Sequence, residues 1–259
     1  MSDGAGSWFA QLDFDVRLCW GPAGLSALGG EVDAIALVDI LRFTTALTVA
    51  VEAGAQVFPQ PWPVDSSRPD PHPSGTEVAD GSGSRGLSLS PASLAGLRAG
   101  ERIVLPSANG SHCSALAAGL AAVVVGASLR NAGAVARWLL RRTEGSPAHP
   151  IAVVPCGERW SDGSLRPAVE DLIGAGALIA ALRSGEEGRS FSPEATAAMA
   201  AFESAQRDLP GTLAASTSGR ELQAKGSEDD IGWAAALNAS RCVPVLNADG
   251  AYVAVGDDP

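Results

Sequence analysis

Short apolar runs alternate along this chain with longer segments in which apolar residues recur every three or four positions. The runs at 34–38, 103–105, 123–126 and 151–156 are short and almost wholly apolar, which indicates buried strands. The longer segments predict helices at 44–53, 91–99, 112–121, 131–142, 167–182, 193–208 and 213–225. Strands that alternate with helices predict an α/β fold, a three-layer α/β/α sandwich around a largely parallel or mixed sheet.

Less regular stretches complete this arrangement. Residues 14–20 alternate apolar and polar side chains, which predicts a half-buried strand. Further short strands are expected at 56–59, 242–246 and 252–255. Residues 60–86 are rich in Pro, Gly, Ser and Asp and predict a long surface loop. The 259 residues are enough for one large α/β domain over 1–259, with two closely packed lobes as the alternative.

Composition narrows the class of protein and its partners. Hydrophobic residues make up 46% of the chain and charged residues 18%, which is typical of a globular protein. The formal net charge of −11 argues against a nucleic-acid backbone or an anionic membrane, so neither is expected as a partner. A small anionic substrate would therefore need arginine side chains or a metal ion at its site.

The cysteines and the start of the chain indicate where the protein works. The four cysteines are scattered and form no CxxC pair, which favours reduced thiols over disulfides or a metal cluster. Residues 1–12 lack the basic start and apolar core of a signal peptide, and no apolar run is as long as a membrane span. We therefore expect a cytoplasmic protein. Whether it forms a homo-oligomer is left open.

The richest chemistry follows the strand predicted at 34–38. Asp39 and Arg42 lie where this strand meets a predicted helix, and Thr44 and Thr45 open that helix. In open α/β sheets, ligands bind at the carboxyl edge of the strands. A carboxylate that binds Mg²⁺ and a guanidinium that clamps a phosphate or sulfonate would form a phosphoryl-handling site there. A salt bridge between Asp39 and Arg42 that closes the corner is an equal alternative.

Three other segments lie at strand exits or helix starts. Residues 107–111 (SANGS) follow a strand and precede a helix, so they either bind an anion through exposed N–H groups or cap the helix. Cys156 ends a strand, and a buried thiol is favoured over a nucleophile because no arginine follows six residues later. Glu170 and Asp171 open the next helix, and at most one of them is expected to face the site.

Three weaker patterns have simpler explanations. The glycine-rich segment 81–86 lacks the Walker sequence, so it is either a solvated linker or a flap that carries Arg85 to an anion. The acidic pair at 229–230 precedes a predicted helix, where acids normally interact with the helix dipole. Asp13 and Asp15 resemble the acidic loop of haloacid-dehalogenase phosphatases, but an arginine stands where that family has threonine or valine.

Taken together, six blocks resemble the 2-phosphosulfolactate phosphatase family, which comprises Mg²⁺-dependent acid phosphatases associated with coenzyme M synthesis. The blocks are VDILRFTTALTVAVEAGAQVFP (38–59), SANGS (107–111), GASLRNAGAVA (126–136), VVPCGE (153–158), AVEDLIGAG (168–176) and LQAKGSEDDI (222–231). They occur in the family's order and cover most of the chain from about residue 14 to residue 246. As a set they are specific, whereas each block alone is weak.

The resemblance implies a phosphomonoester hydrolase acting on a small anionic hydroxy acid, with 2-phosphosulfolactate converted to 3-sulfolactate and phosphate. It implies that Asp39, Arg42 and Glu170 are catalytic and that Asp39 and Asp171 hold Mg²⁺, a Lewis acid in such reactions. The substrate-binding residues that it implies are Thr44, Thr45, Arg85, Asn109, Gly110 and Asn131. Direct attack by water and an aspartyl-phosphate on Asp39 are alternative routes.

The chain departs from the family pattern in two places. The family's Gly-Glu-Arg segment and Gly-Asn-Ser-Pro turn correspond here to GSGSRGLSLSP (81–91), in which Arg85, Ser90 and Pro91 match but the glutamate and the asparagine do not. In the block at 107–111, Ser-Ala replaces the usual Thr-Thr. The alternative function is therefore that of a catalytically degenerate family member, which binds an anionic metabolite without turnover.

Overall fold

A computed structural model describes residues 6–28, 30, 32–62, 72–121, 123–142, 149–185 and 188–255, so the middle of the loop predicted at 60–86 lies outside the described residues. The strands are β1 (Val16–Leu18), β2 (Ala34–Val38), β3 (Gln56–Pro61), β4 (Glu77–Val78), β5 (Arg102–Ser107), β6 (Val123–Ala127), β7 (Ile151–Pro155), β8 (Glu158–Arg159), β9 (Leu165–Arg166), β10 (Val243–Leu246) and β11 (Tyr252–Val255). The helices are α1 (Gly6–Phe9), α2 (Gly21–Leu28), α3 (Phe43–Glu52), α4 (Pro91–Leu94), α5 (Gly110–Ala117), α6 (Ala132–Arg142), α7 (Val169–Gly185), α8 (Pro193–Ala205), α9 (Leu209–Ala215), α10 (Thr217–Ala224) and α11 (Asp229–Ala235).

Nine strands of the described residues form one mixed sheet, in the order β1-β7-β2-β6-β10-β11-β3-β5-β4. At one end β1, β7, β2 and β6 are parallel, and at the other end β3, β5 and β4 are parallel. The hairpin of β10 and β11 joins the two groups through antiparallel pairs with β6 and β3. The sheet has helices on both faces, which confirms the predicted three-layer α/β sandwich.

The sheet separates two apolar cores. Alternate residues of β2 enter different cores, since Ala36 and Val38 pack on one face while Ile35 and Leu37 pack on the other. All residues of β2, β6 and β7 are buried. Burial on both faces explains why these strands are apolar at every position and were recognisable as continuous runs.

The sheet wraps around α3. Every residue from Phe43 to Val51 is buried, and the helix contacts β3, β5, β6, β10 and β11. The carboxyl ends of β2 and β5 meet near the start of α3, although the two strands stand five places apart in the sheet. This curvature creates the place where the predicted site residues after these two strands can come together.

The strand predicted as half-buried at 14–20 is the fully buried β1. Its central side chain, Arg17, is only 4% exposed. The guanidinium donates hydrogen bonds to the carbonyl oxygens of Phe14 and Ala10, at 2.8 and 3.1 Å, so the fold accommodates the charged position. The alternation of polar and apolar residues was therefore a wrong indication of burial here.

The helix predicted at 213–225 is divided into α9 and α10. Ser216 lies between them with an extended backbone, and its Oγ accepts the amide of Gly219 at 3.0 Å, which caps the start of α10. Helix α2 and the hairpin of β8 and β9 have no counterpart among the predicted elements. The break and the hairpin both matter for function, because α10 and β8 line the cavity described below.

The start of α7 ties two strand exits together. Asp171 Oδ1 accepts the amide of Ile40, after β2, at 2.7 Å, and its Oδ2 accepts the amide of Gly157, after β7, at 2.9 Å. Burial raises the pKa of Asp171 well above its usual value, and the charges of Asp39 and Glu170 add to the shift. This carboxyl group therefore fixes the two loops on which the candidate site is built.

Replacing Asp171 with alanine should lower the free energy of unfolding, because two buried amides lose their acceptor. Each unsatisfied amide costs about 1–3 kcal/mol, so we expect a loss of about 2–5 kcal/mol in chemical denaturation. Asp229→Ala, at the exposed start of α11, is the control and should change stability by less than about 1 kcal/mol. Equal stability of the two variants would contradict the role of Asp171 as a clamp.

The close contact between α7 and α8 depends on Gly176. A Cβ at this position would lie 2.0 Å from the carbonyl oxygen of Ala198, so Gly176→Ala must push the helices apart. We expect a loss of about 1–3 kcal/mol in the free energy of unfolding, as at other overpacked sites. Gly232→Ala in α11, with no atom within 4 Å of the new Cβ, should be neutral or stabilise by up to about 1 kcal/mol. Thermal unfolding of both variants measures the difference, and a Gly176→Ala variant as stable as wild type would refute it.

Candidate active site

Asp39 follows β2 and is held by the starts of two helices. Its Oδ1 accepts the amide of Phe43 at 3.0 Å, and its Oδ2 accepts the amide of Gly110 at 2.9 Å. Burial raises the pKa of Asp39 to about 6, although these two hydrogen bonds oppose the shift. The charge of Glu170 adds to the increase, and the charge of Arg42 opposes it. Keeping this carboxyl group ionised is therefore costly in its buried surroundings.

The close approach of α5 to Asp39 requires a glycine. A Cβ at Gly110 would lie 2.2 Å from the ring of Phe43 and 2.8 Å from Oδ2 of Asp39. Gly110 therefore contributes to the site through its backbone amide. The neighbouring Asn109 contributes a side chain, which lines the cavity beside Asp39.

A cavity of about 220 Å³ opens at Asp39. Its walls include Arg42, Asn109 and Glu158, together with one side of α10. A second cavity of about 240 Å³ shares Asn109 and Glu158 with it and extends to Trp20. These volumes suit a small ligand with polar groups at one end.

A larger cavity, of about 700 Å³, lies between α1, α2 and α8. Its lining is mostly apolar, with Trp8 and Phe9 at one side and Glu194 as its acid. It shares no lining residue with the cavity at Asp39. We place the candidate site at Asp39, because acid–base and anion chemistry needs several charged groups, and Glu194 alone supplies a charge among the described residues that line the larger cavity.

Glu158, in β8, is a second acid of the cavity and is absent from the predicted site residues. Its Oε2 accepts a hydrogen bond from Nδ2 of Asn109 at 2.8 Å, and Nε of Arg159 donates to Oδ1 of the same amide at 3.3 Å. Burial raises the pKa of Glu158 to about 7, with a further contribution from the charge of Asp39. One available signal was its position shortly after β7, on the same sheet edge as Asp39.

Arg42 does not pair with Asp39, so the salt bridge considered as an alternative is not formed. Its Nη1 donates to Oδ2 of Asp230 at 2.6 Å. Ser90 Oγ donates to the other oxygen of Asp230 at 2.5 Å. Asp230 is 2% exposed and was predicted only as a partner of a helix dipole. It instead positions the guanidinium that lines the cavity.

Thr44 and Thr45 support the corner between β2 and α3 and do not line the cavity. Thr44 Oγ1 accepts the amide of Asp39 at 3.0 Å and lies 2.8 Å from the carbonyl oxygen of the same residue. Thr45 Oγ1 donates to the carbonyl oxygen of Ile40 at 2.7 Å. Both threonines are fully buried, so their hydroxyl groups serve the backbone of the turn.

Two other predicted substrate-binding residues lie away from the cavity. Asn131 is buried in the turn after β6, where its amide bonds main-chain groups around β6 and β10. Arg85 pairs with Glu101 at 2.9 Å, beside the amino end of β5. Asn109 follows the carboxyl end of β5, so Arg85 lies at the opposite end of this strand, in a different cavity.

Glu170 and Asp171 have different surroundings, although they are neighbours in α7. Both oxygens of Asp171 accept backbone amides. Glu170 is 2% exposed and accepts no hydrogen bond from the described residues. Its charge contributes to the raised pKa values of Asp39, Glu158 and Asp171, so it lies within electrostatic reach of the cavity.

Two alternatives from the sequence have structural explanations. Asp15 precedes β1 at the amino edge of the sheet, and its Oδ2 accepts hydrogen bonds from the amide and the hydroxyl of Ser190, each at 2.8 Å. This position gives no support to the hypothesis of an acidic phosphatase loop at Asp13 and Asp15. Cys156 is buried, and a hydrogen bond with Cys113, together with burial, raises the pKa of its thiol well above the usual value.

The fit to a divalent cation rests on Asp39 and Glu158. Within the described part of the chain, no three Asp, Glu, His or Cys side chains form a ready-made metal cluster. Mg²⁺ often takes only one or two carboxylates and adds water and substrate oxygens. Oε1 of Glu158 accepts no hydrogen bond from the described residues, and each oxygen of Asp39 accepts only one hydrogen bond, from a backbone amide. These two acids therefore fit as protein ligands, whereas Asp171, which was expected in this role, serves the backbone.

In the part of the chain that the structure describes, no helix has the length and apolar character needed to cross a membrane.

The comparisons with known proteins agree with one another. A family model described as 2-phosphosulpholactate phosphatase matches residues 83–249. A protein of Parasynechococcus marenigrum named probable 2-phosphosulfolactate phosphatase is 26% identical over 238 residues, which are 86% of this chain and 93% of that protein.

Two further relatives carry the same name. The protein of Synechococcus sp. is 30% identical over 230 residues, which are 83% of this chain and 89% of that protein. The protein of Gloeobacter violaceus is 32% identical over 155 residues, which are 60% of this chain and 59% of that protein. The family model spans more than half of the chain and includes five of the six blocks that carry the resemblance. The chain therefore belongs to the 2-phosphosulpholactate phosphatase family.

Proposed function

We propose that this protein is a Mg²⁺-dependent phosphatase that hydrolyses the phosphomonoester of a small anionic hydroxy acid, with 2-phosphosulfolactate as the leading substrate. The observation that carries the proposal is the convergence of Asp39, Glu158 and Arg42 on one small cavity at the carboxyl ends of β2 and β7. Two acids with raised pKa values and an arginine suit phosphoryl transfer to water. The names of the relatives support the choice of substrate. The free cysteines of the described residues support action in the reducing cytoplasm.

Arg42 is suited to stabilise negative charge on the transferring group. Asp230 engages one terminal nitrogen, and the guanidinium has further N–H donors for phosphoryl oxygens. Ser90 holds the other oxygen of Asp230, so the orientation of Arg42 is set before a substrate arrives. An arginine fixed in this way binds two phosphoryl oxygens at once and interacts more strongly as charge develops in the transition state.

Asp39 and Glu158 would hold the Mg²⁺ ion. When bound, the ion acts as a Lewis acid on phosphoryl oxygen and lowers the pKa of a bound water. The chain keeps both acids in place, because the amides of Phe43 and Gly110 orient Asp39 and the side chain of Asn109 orients Glu158. The raised pKa values of the two acids mean that nearby positive charge is favourable for both.

Asp39→Asn should reduce kcat/KM for phosphate release by about 10²–10³-fold or more, the usual cost of one lost electrostatic contact to the transition state. Asparagine keeps the size of the side chain but removes the charge. Phosphate release from 2-phosphosulfolactate measures the effect, and circular dichroism with thermal unfolding checks the fold. Asp229→Asn, an exposed acid of α11, is the control and should stay within about twofold of wild type. Wild-type turnover by folded Asp39→Asn would exclude this acid from the reaction.

Removal of Mg²⁺ should greatly reduce turnover, and its return should restore it. Protein treated with EDTA and then dialysed is assayed against a panel of phosphomonoesters with and without added Mg²⁺. We expect about 100-fold more phosphate release with the ion, because Lewis-acid stabilisation contributes several kcal/mol. Undiminished release after chelation would contradict the metal requirement. Binding of panel members without release in the presence of Mg²⁺ would instead identify a catalytically degenerate family member.

A further inference from the structure

Helix α10 presents one stripe of side chains to the cavity at Asp39. Ser218, Glu221 and Leu222 of the helix line the cavity, as does Lys225 directly after its last residue. Intervals of three, four and seven positions place these side chains on one side of a helix. Helix α10 therefore forms one wall of the cavity.

Two side chains of this wall are not committed to the fold. Lys225 is the chain's only lysine and forms no ion pair within the described residues. Ser218 is 4% exposed, and its buried Oγ has no hydrogen-bond partner among the described residues. A buried hydroxyl without a partner is unfavourable, and a ligand acceptor in the cavity would satisfy it. Glu221 differs from both, because Arg166 lies 3.6 Å from its carboxylate.

The two cations that line the cavity stand on different elements. Arg42 is fixed by Asp230 at the start of α3, next to Asp39 in sequence. Lys225 is exposed at the end of α10. Two separate positive groups in a cavity of about 220 Å³ suit a small ligand with two separate anionic groups. A phosphorylated hydroxy acid has this character, because it carries a carboxylate, a sulfonate or, as in 2-phosphosulfolactate, both of them besides its phosphate.

We propose that Lys225 and Ser218 bind one further anionic group of the substrate, a carboxylate or a sulfonate, while Arg42 binds the phosphoryl group. This assignment rests on the proposed phosphatase function and adds that α10 selects phosphorylated acids over phosphomonoesters that lack a carboxylate or sulfonate. The ammonium of Lys225 is a compact charge with three donors, so it accepts a planar carboxylate or a tetrahedral sulfonate. The hydroxyl of Ser218 supplies one further donor after rotation about its Cα–Cβ bond.

Three substrates with one carbon skeleton test the assignment. 2-Phospholactate carries a carboxylate, 1-sulfopropan-2-yl phosphate carries a sulfonate, and isopropyl phosphate carries neither. The ratio of kcat/KM for each acid to kcat/KM for isopropyl phosphate is measured with Mg²⁺ in the full chain. We expect Lys225→Met to reduce this ratio by about tenfold or more, mainly through KM, and Ser218→Ala to reduce it by about three- to fivefold. Arg220→Met removes a positive charge from the exposed side of the same helix and should leave the ratio within about twofold of wild type.

The outcomes separate this assignment from the proposed phosphatase function. Unchanged ratios in both Lys225→Met and Ser218→Ala, or an equal fall in Arg220→Met, would overturn the assignment and leave the phosphatase function standing. A fall for one acid only supports the assignment and identifies the group that is bound. If wild type releases phosphate from none of the three, calorimetry with 3-sulfolactate decides. Binding that is about tenfold weaker in Lys225→Met would support the anion site alone, and equal binding would overturn it.

Discussion

The structure depends on the carboxylate of Asp39, which accepts the first amides of two helices that follow strands five places apart in the sheet. This link closes because the sheet curves around α3 and because Gly110 has no side chain to block the approach. The cost is a buried charge, which is visible in a pKa of about 6. The starts of α3 and α5 offset part of that cost, since helix N-termini carry partial positive charge.

A second buried acid supports the first without facing the cavity. Asp171 binds the amides of Ile40 and Gly157, and these residues are the direct neighbours of Asp39 and Glu158 in the chain. The backbone positions of both cavity acids therefore depend on one carboxyl group beneath them. This division of roles explains why two adjacent acids of α7 differ so much, because adjacent helical residues point in different directions.

The fold was predictable where burial alone determines the residue type. Strand β2 is apolar throughout because both of its faces are buried, and its bounds at 34–38 agree with the prediction. The prediction that β1 is half-buried was wrong because of Arg17. Its hydrogen bonds to carbonyl oxygens allow this charged side chain to be buried, whereas the sequence pattern assigns a charged side chain to the solvent face. Ser216 ends one helix and caps the next, and such a side-chain bond competes with a helical pattern that otherwise continues through it.

The candidate site was predictable only in part. Some of its residues are placed by the sequence around them, whereas others are placed by contacts with residues far away in the chain. Asp39 and Asn109 each follow a predicted strand, so their place at a strand exit could be inferred from neighbours in sequence. Strands β2 and β5 run in opposite directions in the sheet, however, so the meeting of these two exits could not be inferred. Asp230 has an ordinary local explanation at the start of a helix, yet its partner Arg42 is 188 residues away. Glu158 acquires its pKa of about 7 from burial and from Asp39, after β8 has placed it in the cavity. Residues that follow strands can thus be identified as site candidates from the sequence. The curvature of the whole sheet determines which acidic side chains lie beside them.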